Sequence, residues 1–268
     1  MMKKLALAFA VILLSVSCSN NTDSAGVPAT ESRPLLGIFG GMGPEATSDI
    51  FRSIIRLTSA EKDQDHIPTL VYSLPQVPDR MSSINNNDPA IIPYLVEGVQ
   101  LLENSGAIVI SIPCNTVHYY YDIMADTIDV PIINMIEETV AEVKQNYPDI
   151  KKVGLLATTG TISTGLYEDE LTKNGFDVIV PDERIEHEYV MKAVFGIKSG
   201  ADRKVNEDLL AVAGENVINK GAEIIVLGCT EIPLAFNPER SGVPVVNASE
   251  VLARKSIEMY RKLAGEKK

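Results

Sequence analysis

The sequence predicts an α/β fold in which two similar domains, each built on a parallel sheet, face each other across a cleft. Two observations lead to this prediction. Short apolar runs alternate with longer amphipathic stretches through residues 34–268, which indicates strands alternating with helices and therefore parallel sheets. The same landmarks also occur twice in the same order, which indicates a duplicated unit with pseudo-twofold symmetry.

The predicted strands are continuous apolar runs, which are typical of sheets covered on both faces. They are Leu35–Phe39, Thr69–Leu74, Ala107–Ile112, Ile132–Asn134, Val153–Ala157, Val178–Val180, Ile224–Leu227 and Val243–Val246. Helical spacing of apolar residues predicts helices between them. The clearest are Ala46–Thr58, Ile91–Asn104, a helix after Asn134 to about Gln145, and Ser249–Leu263.

Four paired landmarks define the duplication. Gly37, Gly106, Cys114 and Val130 in the first half correspond to Gly154, Gly221, Cys229 and Val243 in the second. The offset ranges only from 113 residues, for the valine pair, to 117 residues, for the first glycine pair. We therefore expect a first α/β domain over residues 34–131 and a second over residues 132–243. A C-terminal helix within residues 244–268 is expected to return to the first domain.

The N-terminal residues are typical of an export signal. Lys3 and Lys4 precede an apolar run, Leu5–Leu14, that is too short to span a bilayer as a mature helix. Small residues then lead to Cys18 in a pattern that resembles a bacterial lipoprotein signal, and the polar residues up to 33 suit a flexible tether. We expect a signal peptide at 1–17, a lipidated tether at 18–33 and an exported, membrane-anchored lipoprotein. The alternative is a plain secretory signal with an incidental cysteine.

Composition and spacing exclude several classes of ligand. The formal net charge is −12, and an acidic chain repels phosphate backbones, so we expect no nucleic-acid partner. The histidines and the two later cysteines lack metal-ligand spacing, so no metal site is expected. Gly40, Gly41 and Gly43 lack the full dinucleotide-binding pattern, and they are better suited to letting the backbone approach a small ligand.

One cysteine follows a predicted strand in each half, Cys114 in the first and Cys229 in the second. Ligands of open α/β sheets bind outside the carboxyl ends of the strands, so two facing domains would place both thiols in one cleft. Such thiols can remove a proton from one face of a carbon and deliver another to the opposite face, as racemisation requires. We expect the following helix N-termini to lower the pKa of the thiols. The alternatives are cysteines that only fill the core, and a disulfide.

Five motifs resemble those of the aspartate racemases in the aspartate/glutamate/hydantoin racemase superfamily, in the order found there. They are Gly40–Thr47 (GGMGPEAT), Pro75–Arg80 (PQVPDR), Pro113–His118 (PCNTVH), Leu155–Thr161 (LLATTGT) and Gly228–Glu231 (GCTE). The resemblance extends from about Leu35 to Leu263. It implies two Rossmann-like domains with the active site between them, a homodimer, and proton transfer that uses neither pyridoxal phosphate nor a metal.

The same resemblance implies roles for individual residues. Cys114 and Cys229 would be the proton donor and acceptor, acting on aspartate and possibly on glutamate or a broader set of amino acids. Arg80 would pair with the side-chain carboxylate of the substrate, and Lys198 would be a second cation. The other expected substrate contacts are Gly41, Met42, Asn115, Thr116 and Thr230.

Two neighbours of the cysteines have open roles in the sequence. His118 either tunes the Cys114 thiol or makes a structural hydrogen bond, and Glu231 either orients the segment after Cys229 or caps a helix. The function also has alternatives. Hydantoin racemases and maleate isomerases share the two-cysteine layout, and a non-catalytic amino-acid-binding lipoprotein would share the fold and the anchor.

Overall fold

Parallel strands form two separate sheets in the computed structural model, which describes residues 33–265. The strands are β1 Leu35–Gly40, β2 Thr69–Ser73, β3 Ala107–Ser111, β4 Lys152–Leu156, β5 Asp177–Ile179, β6 Ile224–Leu227 and β7 Val245–Asn247. The first sheet has the order β2-β1-β3 and the second the order β5-β4-β6-β7, and all pairs are parallel. The predicted signal peptide and Cys18 lie outside the described residues.

Helices pack on both sheets. They are α1 Pro44–Leu57, α2 Arg80–Asn85, α3 Ile92–Asn104, α4 Tyr121–Ala125, α5 Met135–Asn146, α6 Thr159–Ser163, α7 Leu166–Lys173, α8 Glu183–Ile185, α9 Lys192–Lys198, α10 Arg203–Asn219 and α11 Ala248–Leu263. A π-helical turn, Glu186–Met191, joins α8 to α9. Among the described residues, no helix is long and apolar enough to cross a membrane.

The duplication predicted from the landmarks is visible in the strand order. The central strand β1 lies between β2 and β3, and its counterpart β4 lies between β5 and β6. Ile132 pairs with Ile110 of β3 by one parallel bridge, in the place that β7 takes beside β6. The strand predicted at Ile132–Asn134 is thus reduced to this bridge, although the corresponding residues Val245–Asn247 form a strand that ends at the same kind of asparagine N-cap.

Two helices cross from one sheet to the other. α5 follows the first sheet in sequence, yet most of its buried apolar residues belong to the core of the second, which Val140 shares with the strand residues Val153 and Val226. α11 follows the second sheet, yet Leu252 packs in the core of the first, with Leu36 of β1. Each helix starts at an asparagine N-cap, Asn134 or Asn247, that accepts hydrogen bonds from two backbone N–H groups. The described residues accordingly form one compact unit, and the domain limits at 131 and 243 stay predictions.

Candidate active site

A cavity of about 260 Å³ lies at the carboxyl ends of β3 and β6. Both cysteines line it, and each is only 6% exposed. The cavity brings together nearly all of the predicted site residues: Met42, Arg80, Cys114, Asn115, Thr116, Lys198, Cys229 and Thr230. It also includes residues for which the sequence indicated no substrate contact: Asp79, Met81, Thr158, Met191, Val194, Phe195 and Glu231.

Gly41 lies behind Met42, in contact with Thr47 and Leu74, and does not line the cavity. Its backbone N–H donates to Thr47 Oγ1 at 2.9 Å, and its φ of +96° lies in the region that favours glycine. A Cβ at this position would lie 2.4 Å from the Leu74 carbonyl carbon. Gly41 therefore lets the β1–α1 loop approach the chain after β2, and this approach presents Met42 to the cavity.

His118 makes structural hydrogen bonds. Its Nε2 accepts from the Met135 backbone N–H at 3.1 Å, so Nδ1 is the protonated nitrogen and donates to the Cys114 carbonyl at 2.8 Å. Burial lowers the pKa of His118, which keeps the ring neutral. His118 thus joins the Cys114 segment to the start of α5 through the Cys114 backbone carbonyl.

Cys229 lies against a buried carboxylate. Its Sγ donates to Glu231 Oε2 at 3.2 Å, and Thr230 Oγ1 donates to the same oxygen at 3.3 Å. Burial first, and then the negative charge of Glu231, raise the pKa of the Cys229 thiol well above its ordinary value. The expectation that a helix N-terminus lowers this pKa is wrong, because burial and the Glu231 charge outweigh the lowering effect of the Glu231 backbone N–H, and only a short 3₁₀ turn, Ile232–Leu234, follows.

The predicted cations differ in their partners. Lys198 Nζ lies 3.5 Å from Glu231 Oε1, and its side chain is 36% exposed. Helix α9 places Lys198 one turn after Val194, so both side chains reach the cavity. Arg80 donates from Nη1 to the carbonyls of Val77 and Pro78, at 3.3 and 3.2 Å, and forms no ion pair with any residue of the described chain. Its charge is therefore available to a ligand.

Neutral groups line the cavity around Cys114. Asn115 Oδ1 accepts from the Tyr167 hydroxyl at 2.7 Å, whereas its Nδ2 is buried without a partner. A buried donor without an acceptor is costly, so Nδ2 is suited to a ligand oxygen. Thr116 Oγ1 shares hydrogen bonds with the hydroxyls of Thr161 and Thr158, at 2.8 and 3.2 Å.

The two cysteines are free thiols that line a polar cavity. Cys114 and Cys229 are both free, so the disulfide alternative is wrong. They are buried, as core cysteines would be, but they line a cavity that also holds polar and charged groups. Among residues 33–265, no three His, Cys, Asp or Glu side chains form a group that could hold a metal ion.

Comparisons with known proteins assign the chain to a family. The model of the Asp/Glu/Hydantoin racemase family matches residues 39–255. The chain belongs to this family. The broad specificity amino-acid racemase RacX of Bacillus subtilis (strain 168) is 30% identical over 232 residues, which are 84% of this chain and 98% of the relative.

Solved structures of racemases share the fold. Picrophilus torridus aspartate racemase superposes with a TM-score of 0.74 at 29% identity, covering 86% of this chain and 97% of that one. Glutamate racemase isoform RacE1 from Bacillus anthracis gives a TM-score of 0.66 at 16% identity, covering 86% and 83%, and supports the fold alone. The predicted fold of two Rossmann-like domains with parallel sheets is thereby confirmed, and the chain is a member of an amino-acid racemase family.

Two residues of the site lacked a clear assignment in the sequence. Glu231 stood in a motif but had no assigned contact with a thiol; its signal was its position two residues after Cys229, where the first half has Thr116. Tyr167, the partner of Asn115, lies 52 residues away in sequence. No local pattern connects these two positions, so only the fold could reveal the contact.

Proposed function

We propose that this chain is a cofactor-independent racemase that interconverts L- and D-aspartate by two-base proton transfer. One observation supports this most strongly: thiols from equivalent positions of two duplicated halves, Cys114 and Cys229, line a single small cavity. One thiolate takes the α-proton from one face of the substrate. The other thiol delivers a proton to the opposite face, and the roles exchange for the other enantiomer.

The charges in the cavity support an acidic amino acid. Arg80 is a cation without a carboxylate partner among the described residues, and a guanidinium can bind a carboxylate through two hydrogen bonds. Lys198 supplies a second cation that is partly offset by Glu231. The buried amide nitrogen of Asn115 is a further donor for the α-carboxylate, and the hydroxyl oxygens of Thr116 and Thr230 can accept from the α-ammonium group.

Isotope exchange tests the proposal directly. The full chain, kept reduced, is incubated with L-aspartate in D₂O while the α-hydrogen is followed by NMR and D-aspartate by a chiral assay. Cys114→Ala and Cys229→Ala are measured in parallel, because each removes one of the two proton-transfer groups. Deuterium uptake with D-aspartate formation, lost in both variants, is the expected result. Absence of exchange for aspartate, glutamate and a panel of other amino acids would contradict it and favour a binding protein or a different substrate class.

The second candidate function is a racemase with a broader range of amino-acid substrates, and the apolar side chains of the cavity wall favour it. Met42, Met81, Met191 and Phe195 all line the cavity. Methionine side chains are flexible and adapt to ligands of different shape, so amino acids with apolar side chains also fit this surface. Exchange rates for methionine or leucine comparable to that for aspartate would establish the broader range.

We further propose that the chain is an exported lipoprotein and a homodimer. The support for export is the sequence alone, a basic and apolar leader followed by Cys18. The support for the dimer is the resemblance to the aspartate racemases. Intact mass of the protein from its native host distinguishes a lipidated Cys18 from an uncleaved chain, and light scattering gives the oligomeric state.

A further inference from the structure

Tyr167 lies between the chain segments that carry the two cysteines, although it does not line the cavity itself. It is fully buried near the start of α7. Its ring packs against the residue before Cys229, since a Cβ at Gly228 would lie only 3.0 Å from Tyr167 Cε2. Its hydroxyl donates at 2.7 Å to Oδ1 of Asn115, the residue after Cys114. Tyr167 therefore connects the two strand ends at which the thiols lie.

The hydroxyl of Tyr167 is a permanent donor to Asn115. Burial raises the pKa of Tyr167, and the hydrogen bond with the Thr139 hydroxyl, which lowers it, does not outweigh this effect. The hydroxyl thus keeps its proton near neutral pH. An amide accepts a hydrogen bond at its oxygen, so this bond fixes the Asn115 side chain with Oδ1 towards Tyr167. Nδ2, which is buried without a partner, is then the end of the amide left for a ligand.

The equivalent position in the second half has the opposite polarity. Thr230 follows Cys229, and its hydroxyl donates to Glu231 Oε2 at 3.3 Å, so the hydroxyl oxygen is left to accept. A donor therefore lies beside Cys114 and an acceptor beside Cys229. This difference distinguishes the two ends of an amino acid, because a carboxylate only accepts hydrogen bonds and an ammonium group only donates them.

We propose that Tyr167 is a positioning residue: by holding the Asn115 amide in one orientation, it directs the α-carboxylate of the substrate to the Cys114 side of the cavity. This role rests on the proposed function, which supplies an amino acid as the ligand. Two thiols at equivalent positions offer no such distinction by themselves, since either could lie next to the carboxylate. Without the Tyr167 hydroxyl the amide can turn over, and Oδ1 would then repel the carboxylate oxygens.

Tyr167→Phe removes the hydroxyl and keeps the ring that packs on Gly228. We expect KM for L-aspartate and for D-aspartate to rise about tenfold, the order of one hydrogen bond to a charged group, with kcat within a factor of about three. Weaker binding of substrate and transition state alike has this signature, because both carry the α-carboxylate. A fall in kcat at unchanged KM would overturn the proposal and place Tyr167 in the proton transfer.

Tyr260→Phe is the matched control. Tyr260 is also buried, its hydroxyl donates to the Pro34 carbonyl at 3.0 Å, and it does not line the cavity. The same substitution there should leave KM and kcat unchanged. An equal rise in KM for both variants would assign the effect to a general loss of packing and overturn the proposal.

A second substitution shows whether Tyr167 acts through Asn115. Asn115→Ala removes the amide that the hydroxyl holds, and KM should rise by at least as much as in Tyr167→Phe. Adding Tyr167→Phe to Asn115→Ala should then change KM by less than about twofold, because no amide remains to be positioned. Independent losses that multiply in the double variant would overturn the proposal.

Equilibrium binding separates this role from the reaction itself. In a Cys114→Ser background, calorimetry measures the affinity for L-aspartate and for its α-amide, in which a neutral amide replaces the α-carboxylate. Tyr167→Phe should weaken aspartate binding about tenfold. It should leave the affinity for the α-amide nearly unchanged, because an amide can pair with either end of Asn115, and this affinity also shows that the variant is folded.

Equal weakening for both ligands, or none for either, would overturn the proposal. If no amino acid is racemised while the weakening stays confined to aspartate, the proposed function fails and the positioning role of Tyr167 is supported.

Discussion

At the scale of single residues, substitution of Arg80 tests whether the cavity selects amino acids with a side-chain carboxylate. Its guanidinium is held by two carbonyl groups and has no carboxylate partner among the described residues. Arg80→Lys keeps the charge but loses the planar pair of donors, so we expect KM for aspartate to rise about tenfold or more, as hydrogen bonds to charged groups contribute about 1.5–3 kcal/mol. Initial rates over a range of aspartate concentrations measure this. Alanine, which lacks the side-chain carboxylate, is the control substrate, and an equal rise in its KM would contradict the assignment.

The buried His118 is expected to make the free energy of unfolding depend on pH. Burial lowers its folded-state pKa, so between that value and about 6.5, the ordinary pKa of histidine, the unfolded chain binds a proton that the folded chain does not. Its contribution is therefore fully present above about pH 6.5 and is lost as the pH falls through this window, by up to about 1.4 kcal/mol per pH unit. Urea unfolding at a neutral and a mildly acidic pH measures the difference.

His118→Asn should reduce this loss, because the titrating group is gone. His187→Asn is the control, since the His187 side chain is 58% exposed, and this variant should retain the loss. The same pH dependence in His118→Asn as in the unmodified chain would assign the effect to other groups.

Some of the site residues that the sequence could identify lie next to a cysteine. Asn115, Thr116 and Thr230 are within one or two positions of a cysteine that follows a strand, so the chain itself carries them to the cavity, whereas Arg80 and Lys198 were identified only through the family resemblance. The thiol contact of Glu231 and the hydrogen bond of Tyr167 to Asn115 depend on side-chain direction and on distant packing. Neither is encoded in a local spacing.

At the scale of elements, one buried hydrogen bond joins α11 to β3. The hydroxyls of Ser111 and Ser256 lie 2.6 Å apart, and Ser256 donates its own proton to the Leu252 carbonyl, so Ser111 is the donor between them. Ser256→Ala leaves the fully buried Ser111 hydroxyl without an acceptor, and we expect a cost of about 1–3 kcal/mol in the free energy of unfolding.

Ser111→Ala should cost less, because it removes the donor and leaves Ser256 with its bond to Leu252. The double variant should be no less stable than Ser256→Ala alone. Urea unfolding of the four proteins completes the cycle, and additive losses would contradict the coupling.

The bounds of an element were predictable where all of its residues are buried and apolar. β6 was predicted with the observed limits, because its residues are all buried and form an uninterrupted apolar run. Ile132–Asn134 shows the opposite case, since only Ile132 pairs with β3 there, whereas the similar apolar run before Asn247 forms strand β7. The π turn between α8 and α9 has no sequence signature that apolar spacing could detect.

At the scale of the whole molecule, the crossing of α5 and α11 makes each half depend on the other. Residues 33–149 contain the first sheet but lack α11, which covers it. We expect this fragment alone to show no cooperative unfolding, because the apolar faces of Leu36 and Ile50 would meet water, and burying such side chains contributes about 1.5–3 kcal/mol each. Circular dichroism with urea titration measures this.

Mixing residues 33–149 with residues 150–268 should restore a cooperative transition, with the intact chain as the reference. A cooperative transition in either fragment alone would show that a half is self-sufficient.

The exchange of helices also bears on how such a molecule could arise. A half-length chain with this layout would have a sheet with one bare face and a terminal helix with nothing to cover. In a dimer of two identical copies, the terminal helix of each copy would cover the sheet of the other. The same pairing would bring one cysteine from each copy into a shared cavity. Joining two copies in one gene removes the requirement that they stay identical. Thr116 and Glu231, each the second residue after its cysteine, occupy equivalent positions that differ between the halves.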